Sequence, residues 1–328
     1  MNREVAFKIA DAVMYEGYML YPYRPSALKN RQRWSFGILY PLDYEEVQRG
    51  TERSSMHTEC LLRDTAECKL RVTLRFLQLA GKEHPDAGSE DEASDEPIPR
   101  SLEFEPDLSR QPARGFEFSF PEKISPGQKQ EHLRGAVTTA IETLAAGLLK
   151  VTVDVRNETS SSDNPANKGT RDCALLRAFL SAHLILETHA GQFVSLLDPG
   201  EEFIEHAHAC RNIGNFPVLV GTEGERDTML CSSIILYDYP QIAPESAGDF
   251  FDATEMDEML ALRVLTLSDS EKDQMRSAND RVRALLERTE HGTREQLMKT
   301  HGVIRGLRPV TDDAPRPDSP PGRDLRRD

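Results

Sequence analysis

The chain has 328 residues, 38% hydrophobic and 29% charged, with 40 Lys and Arg against 55 Asp and Glu and a formal net charge of -15. That length supports one large domain or two smaller ones without covalent staples, and the acidic balance argues against a surface built to neutralise nucleic-acid phosphates. No apolar run nears the ~20 residues of a membrane span, the start MNREVAFKIADAV lacks a signal peptide's apolar region, and the five cysteines form no CxxC pair, so the expected compartment is a reducing cytoplasm.

Phe7 to Pro41 reads as two aromatic and aliphatic strands flanking a basic loop, because Pro22 and Pro25 exclude a helix between them and aromatics suit a pleated, half-buried surface. The loop's Arg24, Lys29, Arg31 and Arg33, beside Trp34, form a candidate partner-binding surface; the competing reading is a solvated loop answering acids elsewhere in the chain. Met56 to Leu62 and Cys68 to Leu79 read as two more strands, expected to pair antiparallel. In the second, Cys68, Leu70, Val72, Leu74 and Phe76 alternate with Lys69, Arg71, Thr73 and Arg75. Gln78 then falls on the apolar side, so this strand ends or bulges there. Residues 1–81 are thus an N-terminal β region.

Residues 82–100 are rich in Asp, Glu, Ser and Pro and cannot repay the entropy of ordering, so they read as an acidic, disordered linker or insertion. Residues 101–250 form a second β region. Leu102 and Phe104, then Phe116, Phe118 and Phe120, recur with period two, and Leu149, Val151, Val153 and Val155 alternate with Lys150, Thr152, Asp154 and Arg156. Residues 133–148 fit a strand or a helix; the β-branched VTTAI run between Gly135 and Gly147 favours a hairpin. RDCALLRAFL reads as a short helix, AHLILETHAGQFVSLLDP as strand, turn and strand, and Glu201 to Asn215 as a helix closed by Gly214. The buried strands FPVLVG and TMLCSSIILYDYP are joined by the charged turn TEGERD.

From Asp252 the period turns helical, with Met256, Met259, Leu260, Val264 and Leu267 on one face. Asp252 with Glu255 and Ser268 with Glu271 are spaced as capping boxes. A break falls between Ser277 and Asp280, Gly292 ends the next helix, and Thr293 with Gln296 opens another. Residues 251–305 are C-terminal helices, and 306–328 a tail disordered by composition. Strands followed by helices give an α+β fold: a mostly antiparallel, sandwich-like β core with a C-terminal helical region.

The sequence holds no complete catalytic or cofactor motif. His206 and Cys210 are the metal-ligand candidates, since i and i+4 share a helix face while His208 points away; two ligands would need distant carboxylates to hold an ion. A metal ion is therefore the one cofactor left open, and a metal-handling protein or metal-dependent enzyme the alternative function. The competing reading of the histidines is a solvent-facing pair on a short amphipathic helix. Acids crowd from Glu245 to Glu258 without EF-hand spacing, and a helix N-terminus accounts for Asp252 to Asp257. That leaves Glu245 and Asp249 as acids available to a partner. GTEGERD lacks the ending of a phosphate loop. On a strand, His57 and Glu59 face away from Cys60, against a cysteine nucleophile. The alternating strands also fit a β-sandwich ligand-binding module, but fold alone licenses no ligand.

The stretches YEGYMLYPYRPSALKNRQRW, MHTECLL and GTEGERDTMLCSSIILYDYPQIAPESAGDFFDATEMDEMLALRVLTL resemble an uncharacterised bacterial protein family that accompanies nickel-iron hydrogenase gene clusters. The resemblance spans most of residues 7–305 apart from the linker. It implies a non-enzymatic accessory protein acting by protein contact in assembly or maturation of a nickel-iron hydrogenase, with hydrogenase subunits or maturation factors as partners. No catalytic residue is established for the family, and the histidines of EHAHAC are not part of its pattern.

Overall fold

In a computed structural model of the chain, the described residues are 2–24, 27–64, 67–81, 96–108, 114–160, 170–242, 248, 250–252 and 257–293. The chain begins with helix α1 (Asn2–Met14), makes a 3-10 turn at Leu28–Gln32 and a short α2 (Leu42–Val47), and enters strands β1 (Ser55–Arg63) and β2 (Lys69–Gly81). Then come β3 (Glu96–Phe104), β4 (Arg114–Phe120), the small strands β5 (Lys123–Ser125) and β6 (Gln128–Gln130), and the long β7 (Leu133–Ala145) and β8 (Leu148–Asn157). α3 (Arg171–Leu175) leads to β9 (Leu180–His189) and β10 (Gln192–Val194), and a 3-10 turn at Glu201–Phe203 runs into α4 (Ile204–Ala209). β11 (Phe216–Leu219) and β12 (Thr228–Ser232) precede the C-terminal helices α5 (Asp257–Leu265), α6 (Asp269–Ala278) and α7 (Asp280–His291).

The strands form two antiparallel sheets, β10-β1-β8-β7-β4 and β11-β12-β9-β2-β6-β5, with β3 on the free side of β2. The fold is α+β, a β-rich core with C-terminal helices and no closed barrel. Alternation builds the layer between the sheets: Leu70, Val72, Leu74 and Phe76 of β2 meet Val137 and Ile141 of β7 and Val151, Val153 and Val155 of β8. Burying alternate residues of both sheets in one layer is the ordinary way two sheets stack. Both expected β regions contribute to both sheets, so 1–81 and 101–250 interleave in one sandwich.

Several local expectations change. Phe7 to Met14 lies in α1 rather than a strand, because Ala6, Ile9, Ala10 and Met14 recur at helical spacing and are buried; the first three pack with Ile185, Val218 and Leu230 on the outer face of the larger sheet. The flank after the basic loop is irregular, with Trp34 and Gly37 at positive φ, and joins a ladder only through the bridge Leu39 to Phe179. β1 and β2 do not pair: β1 lies between β10 and β8, and β2 between β9 and β3. Both have an apolar face, and the alternation that makes them strands is satisfied equally by two different sheets. β9 and β10 likewise part into opposite sheets, the chain crossing at Ala190 and Gly191.

The linker expectation fails for residues 96–100, since β3 begins at Glu96 and pairs along β2 from Val72 to Ala80; residues 82–95 lie outside the described residues. Pro97 and Pro99 are tolerated because β3 is an edge strand and has no second ladder to donate to. β2 does not end at Gln78. It runs on to Gly81, the register shift against β9 between Arg75 and Leu77 taking up an extra residue on β9, and its own unbroken alternation puts Leu77 and Leu79 on the face toward the helices. Gln78 stays buried and bonded, its amide donating to the Glu131 carbonyl at 2.7 Å and accepting from Arg100 at 2.8 Å. The 133–157 hairpin forms, with Gly147 at φ +73° in its turn.

The expected helix 201–215 is only a 3-10 turn and the six residues of α4, because Cys210 is already extended; Gly214 sits in the loop beyond. The Ser268–Glu271 capping box forms, the break falls at Asn279, and Gly292 caps α7. Part of the Asp252–Glu255 box, the helix from Thr293 and the tail lie outside the described residues. α5, α6 and α7 bury Leu260, Val264, Met275, Val282, Leu285 and Leu286 against the aromatic segment Tyr15 to Tyr44. No helix among the described residues is long and apolar enough to cross a membrane.

Asn157, buried at the end of β8, ties three loops together. Its amide donates to the Leu39 and Arg177 carbonyls at 2.9 Å each and accepts from the Thr159 N–H at 3.0 Å. Asn157→Leu keeps the volume but removes all three bonds, so chemical denaturation should show a loss of about 2 kcal/mol. A variant within experimental error of the parent would show that these loops hold without it.

Candidate functional site

The basic loop is held by Asn30, whose buried amide accepts from the Leu20 N–H and donates to the Leu20 and Arg24 carbonyls at 2.8–2.9 Å. Trp34 is 3% exposed and its ring lies 5.4 Å from that of Tyr18, so it is a core side chain offering no face to a partner. Arg171 donates to the carbonyls of Arg33 and Trp34, fixing the loop's exit. Arg24 turns to α6, 3.6 Å from Glu271 and 3.4 Å from Gln274. The loop therefore answers acids of the same chain through Arg24, while Lys29 points to solvent and Arg33 is half-buried. The side chain of Arg31, and Glu245 and Asp249 altogether, lie outside the described residues.

His206 and Cys210 have different surroundings. The Cys210 thiol donates to the His206 carbonyl at 3.5 Å, and burial first, then Glu59, pushes its pKa up to about 11. A metal ligand needs the thiolate, which burial disfavours here. His206 instead lines a hollow of about 710 Å³ at the end of the smaller sheet, with Arg63, Asp64, Gln192, Glu202 and Phe203. Among the described residues no three His, Cys, Asp or Glu side chains converge so as to hold a metal ion.

One polar arrangement was not visible in the sequence. His57 on β1 stands opposite Asp154 on β8, their side chains 2.7 Å apart, and Glu59 reaches Lys150 at 3.6 Å and the Arg211 N–H at 2.6 Å. Alternation alone puts these residues on outer faces, but only the β1–β8 register makes them neighbours. Cys60 points the other way, into the core, where burial raises its thiol pKa. The His57–Asp154 pair lies on an open sheet face and lines neither large hollow. It has hydrogen-bond geometry without a cleft to exclude water, which makes it a cross-strand pair.

The distinctive surface follows β12. TMLCSSIILYDYP is strand only to Ser232; beyond it Ile235 is 74% exposed, Tyr237 86% and Ile242 50%. This backbone is pinned at several points. Ser232 Oγ donates to the Ile234 carbonyl at 2.8 Å, and Asp238 accepts from Ser195 Oγ at 2.5 Å and from the Leu219 N–H at 2.7 Å. Tyr239 N–H donates to the Leu219 carbonyl at 2.7 Å. Leu236 and Tyr239 turn inward onto the α1 and sandwich cores, which forces Ile235 and Tyr237 out. Beside them is a second hollow of about 740 Å³, lined by Val13, Pro99, Ile234, Leu236, Ile242 and Phe250 among others.

No protein-family model matches the chain, and no curated protein matches it.

Proposed function

We propose that the protein is a non-enzymatic, cytoplasmic accessory factor that binds another protein, and that the partner is a nickel-iron hydrogenase subunit or maturation factor, as the sequence resemblance implies. The observation that supports contact is the exposed Ile235, Tyr237 and Ile242 carried on a hydrogen-bonded backbone. Large apolar side chains held in water with their backbone already ordered lose little entropy on docking. Tyrosine is also among the residues that dominate interface energies. All five cysteines are free thiols, which suits a reducing compartment.

The reading is tested by co-purifying the full-length protein with hydrogenase subunits and maturation proteins from cells that make the enzyme. Replacing Ile235 and Tyr237 together by Asp should raise the Kd for that partner by about 30-fold or more, the loss of one hot spot. Both side chains are exposed, so thermal unfolding should be unchanged. Unaltered affinity would remove this surface from the interface, and failure to retain any hydrogenase component would remove the hydrogenase assignment.

A further inference from the structure

The polar hollow at the end of the smaller sheet is open to solvent, and protein contact through Ile235 and Tyr237 leaves it unused. We infer that it binds a small zwitterionic molecule of the α-amino-acid class, with a basic amino acid favoured. Its walls are two tight turns of small residues: Ala145, Ala146 and Gly147 between β7 and β8, and Ala190 and Gly191 between β9 and β10. Small side chains let a ligand approach the backbone closely, although the Gly147 carbonyl already accepts from the Asp64 N–H at 2.9 Å. Gly191 admits nothing larger, since an added Cβ would lie 2.6 Å from both Cys68 Sγ and Thr188 Oγ1. Ala190 holds φ +57°, a conformation that L side chains rarely adopt.

The polar groups come from four elements. Arg63 ends β1 with Asp64 just after it, Gln192 opens β10, Glu202 lies on the 3-10 turn and His206 on α4. None of these five side chains has a hydrogen bond or ion pair with a described residue, whereas Glu59, Lys150, Glu142, His57 and Asp154 on the adjoining sheet face are all paired. Arg63 is steadied from one side only, its guanidinium 5.9 Å from the centre of the Phe203 ring. A volume of about 710 Å³ falls within the roughly 300–1,000 Å³ of small-molecule sites.

Charge selects the ligand. One guanidinium stands against two carboxylates, in a chain of net charge -15. A simple anion would meet Arg63 but also two like charges, and a simple cation would leave the guanidinium unanswered. A zwitterion answers both signs, with its carboxylate on Arg63 and its ammonium on Asp64 or Glu202. The remaining negative charge favours a ligand carrying one more positive group. His206 then serves as a hydrogen-bonding wall residue instead of a metal ligand.

The test is a titration of full-length, isotope-labelled protein with L-arginine, with inorganic phosphate and propylamine as single-charge controls. Saturable shifts of the Gly147 and Gly191 amide signals at millimolar L-arginine are expected, with weaker or no saturation by either control. Arg63→Gln and Glu202→Gln should each weaken L-arginine by about tenfold, the loss of one charge-assisted hydrogen bond. Both residues are exposed, so the rest of the spectrum should stay in place. The inference is overturned if those amides do not respond, if phosphate or propylamine moves them as strongly as L-arginine, or if both variants bind as the parent does.

Discussion

Phe76→Ala is expected to lower the unfolding free energy by about 3–5 kcal/mol, the range for truncating a buried phenylalanine. Phe76 is fully buried on β2, stacked on Phe179 with ring centres 4.4 Å apart, and 5.9 Å and 6.3 Å from Phe120 and Phe118 on β4. These rings join the larger sheet to the edge strand of the smaller one. They also fill the space beside Gly135, where an added Cβ would lie 2.5 Å from Phe118 and 2.8 Å from Phe179. Removing Phe76 leaves a cavity bounded by rings that cannot collapse without moving both sheets. Phe76→Leu keeps most of the volume and should cost much less. Urea unfolding of the two variants checks this; an alanine variant less than about 1 kcal/mol below the parent would show that the sheets are not joined through these rings.

The second large effect is on pH dependence and centres on His183. This β9 residue is buried under α1, its Nδ1 2.9 Å from the Ser181 carbonyl and its Nε2 without a partner among the described residues. Burial first, with Arg75 adding to it, lowers its pKa from 6.5 to about 4, while the Ser181 bond and Asp11 oppose the shift. The folded state therefore keeps the imidazole neutral where the unfolded chain would protonate it. Between pH 4 and 6.5 the unfolded state binds more protons, so stability rises with pH. His183's contribution is fully present above about pH 6.5 and is lost as pH falls toward 4, in all about 3 kcal/mol. Asp11 and Arg75 face His183 from α1 and β2 and are paired with each other at 2.6 Å; their pairing remains in a His183→Gln variant. Unfolding at pH 7 and pH 4.5 should show the parent losing more stability than the variant. Equal losses would mean that His183 does not titrate in this window.

The basic loop does not become the surface that its sequence suggests. Arg24 is committed to α6 and Trp34 to the core, so aromatic residues beside basic ones in the sequence do not become an aromatic-flanked surface. The exposed apolar surface came from a stretch that reads as a buried strand. IILYDYP has strand composition, yet the bonds of Asp238 and Tyr239 to Leu219 place it across the end of β11. Such bonds link residues 19 and 20 positions apart, a relation no local period encodes. The hollow around His206 escaped for the same reason, because Arg63, Ala145, Gln192 and His206 share no spacing and meet only when three strand ends and a helix converge.

By itself the sequence determined what depends on near neighbours along the chain. The two-residue alternation of β2, β7 and β8, the turn at Gly147, the capping box at Ser268 and the stop at Gly292 each follow from residues a few positions apart. The tertiary structure decided which sheet each strand joined, placing β1 and β2, and β9 and β10, on opposite layers. An apolar face is satisfied by burial against any apolar layer, so alternation fixes that a face is buried without naming its partner. Exposure of Ile235 and Tyr237 and the convergence on the Arg63 hollow were decided at that same level. Each is set by where distant elements stop, and packing alone settles that.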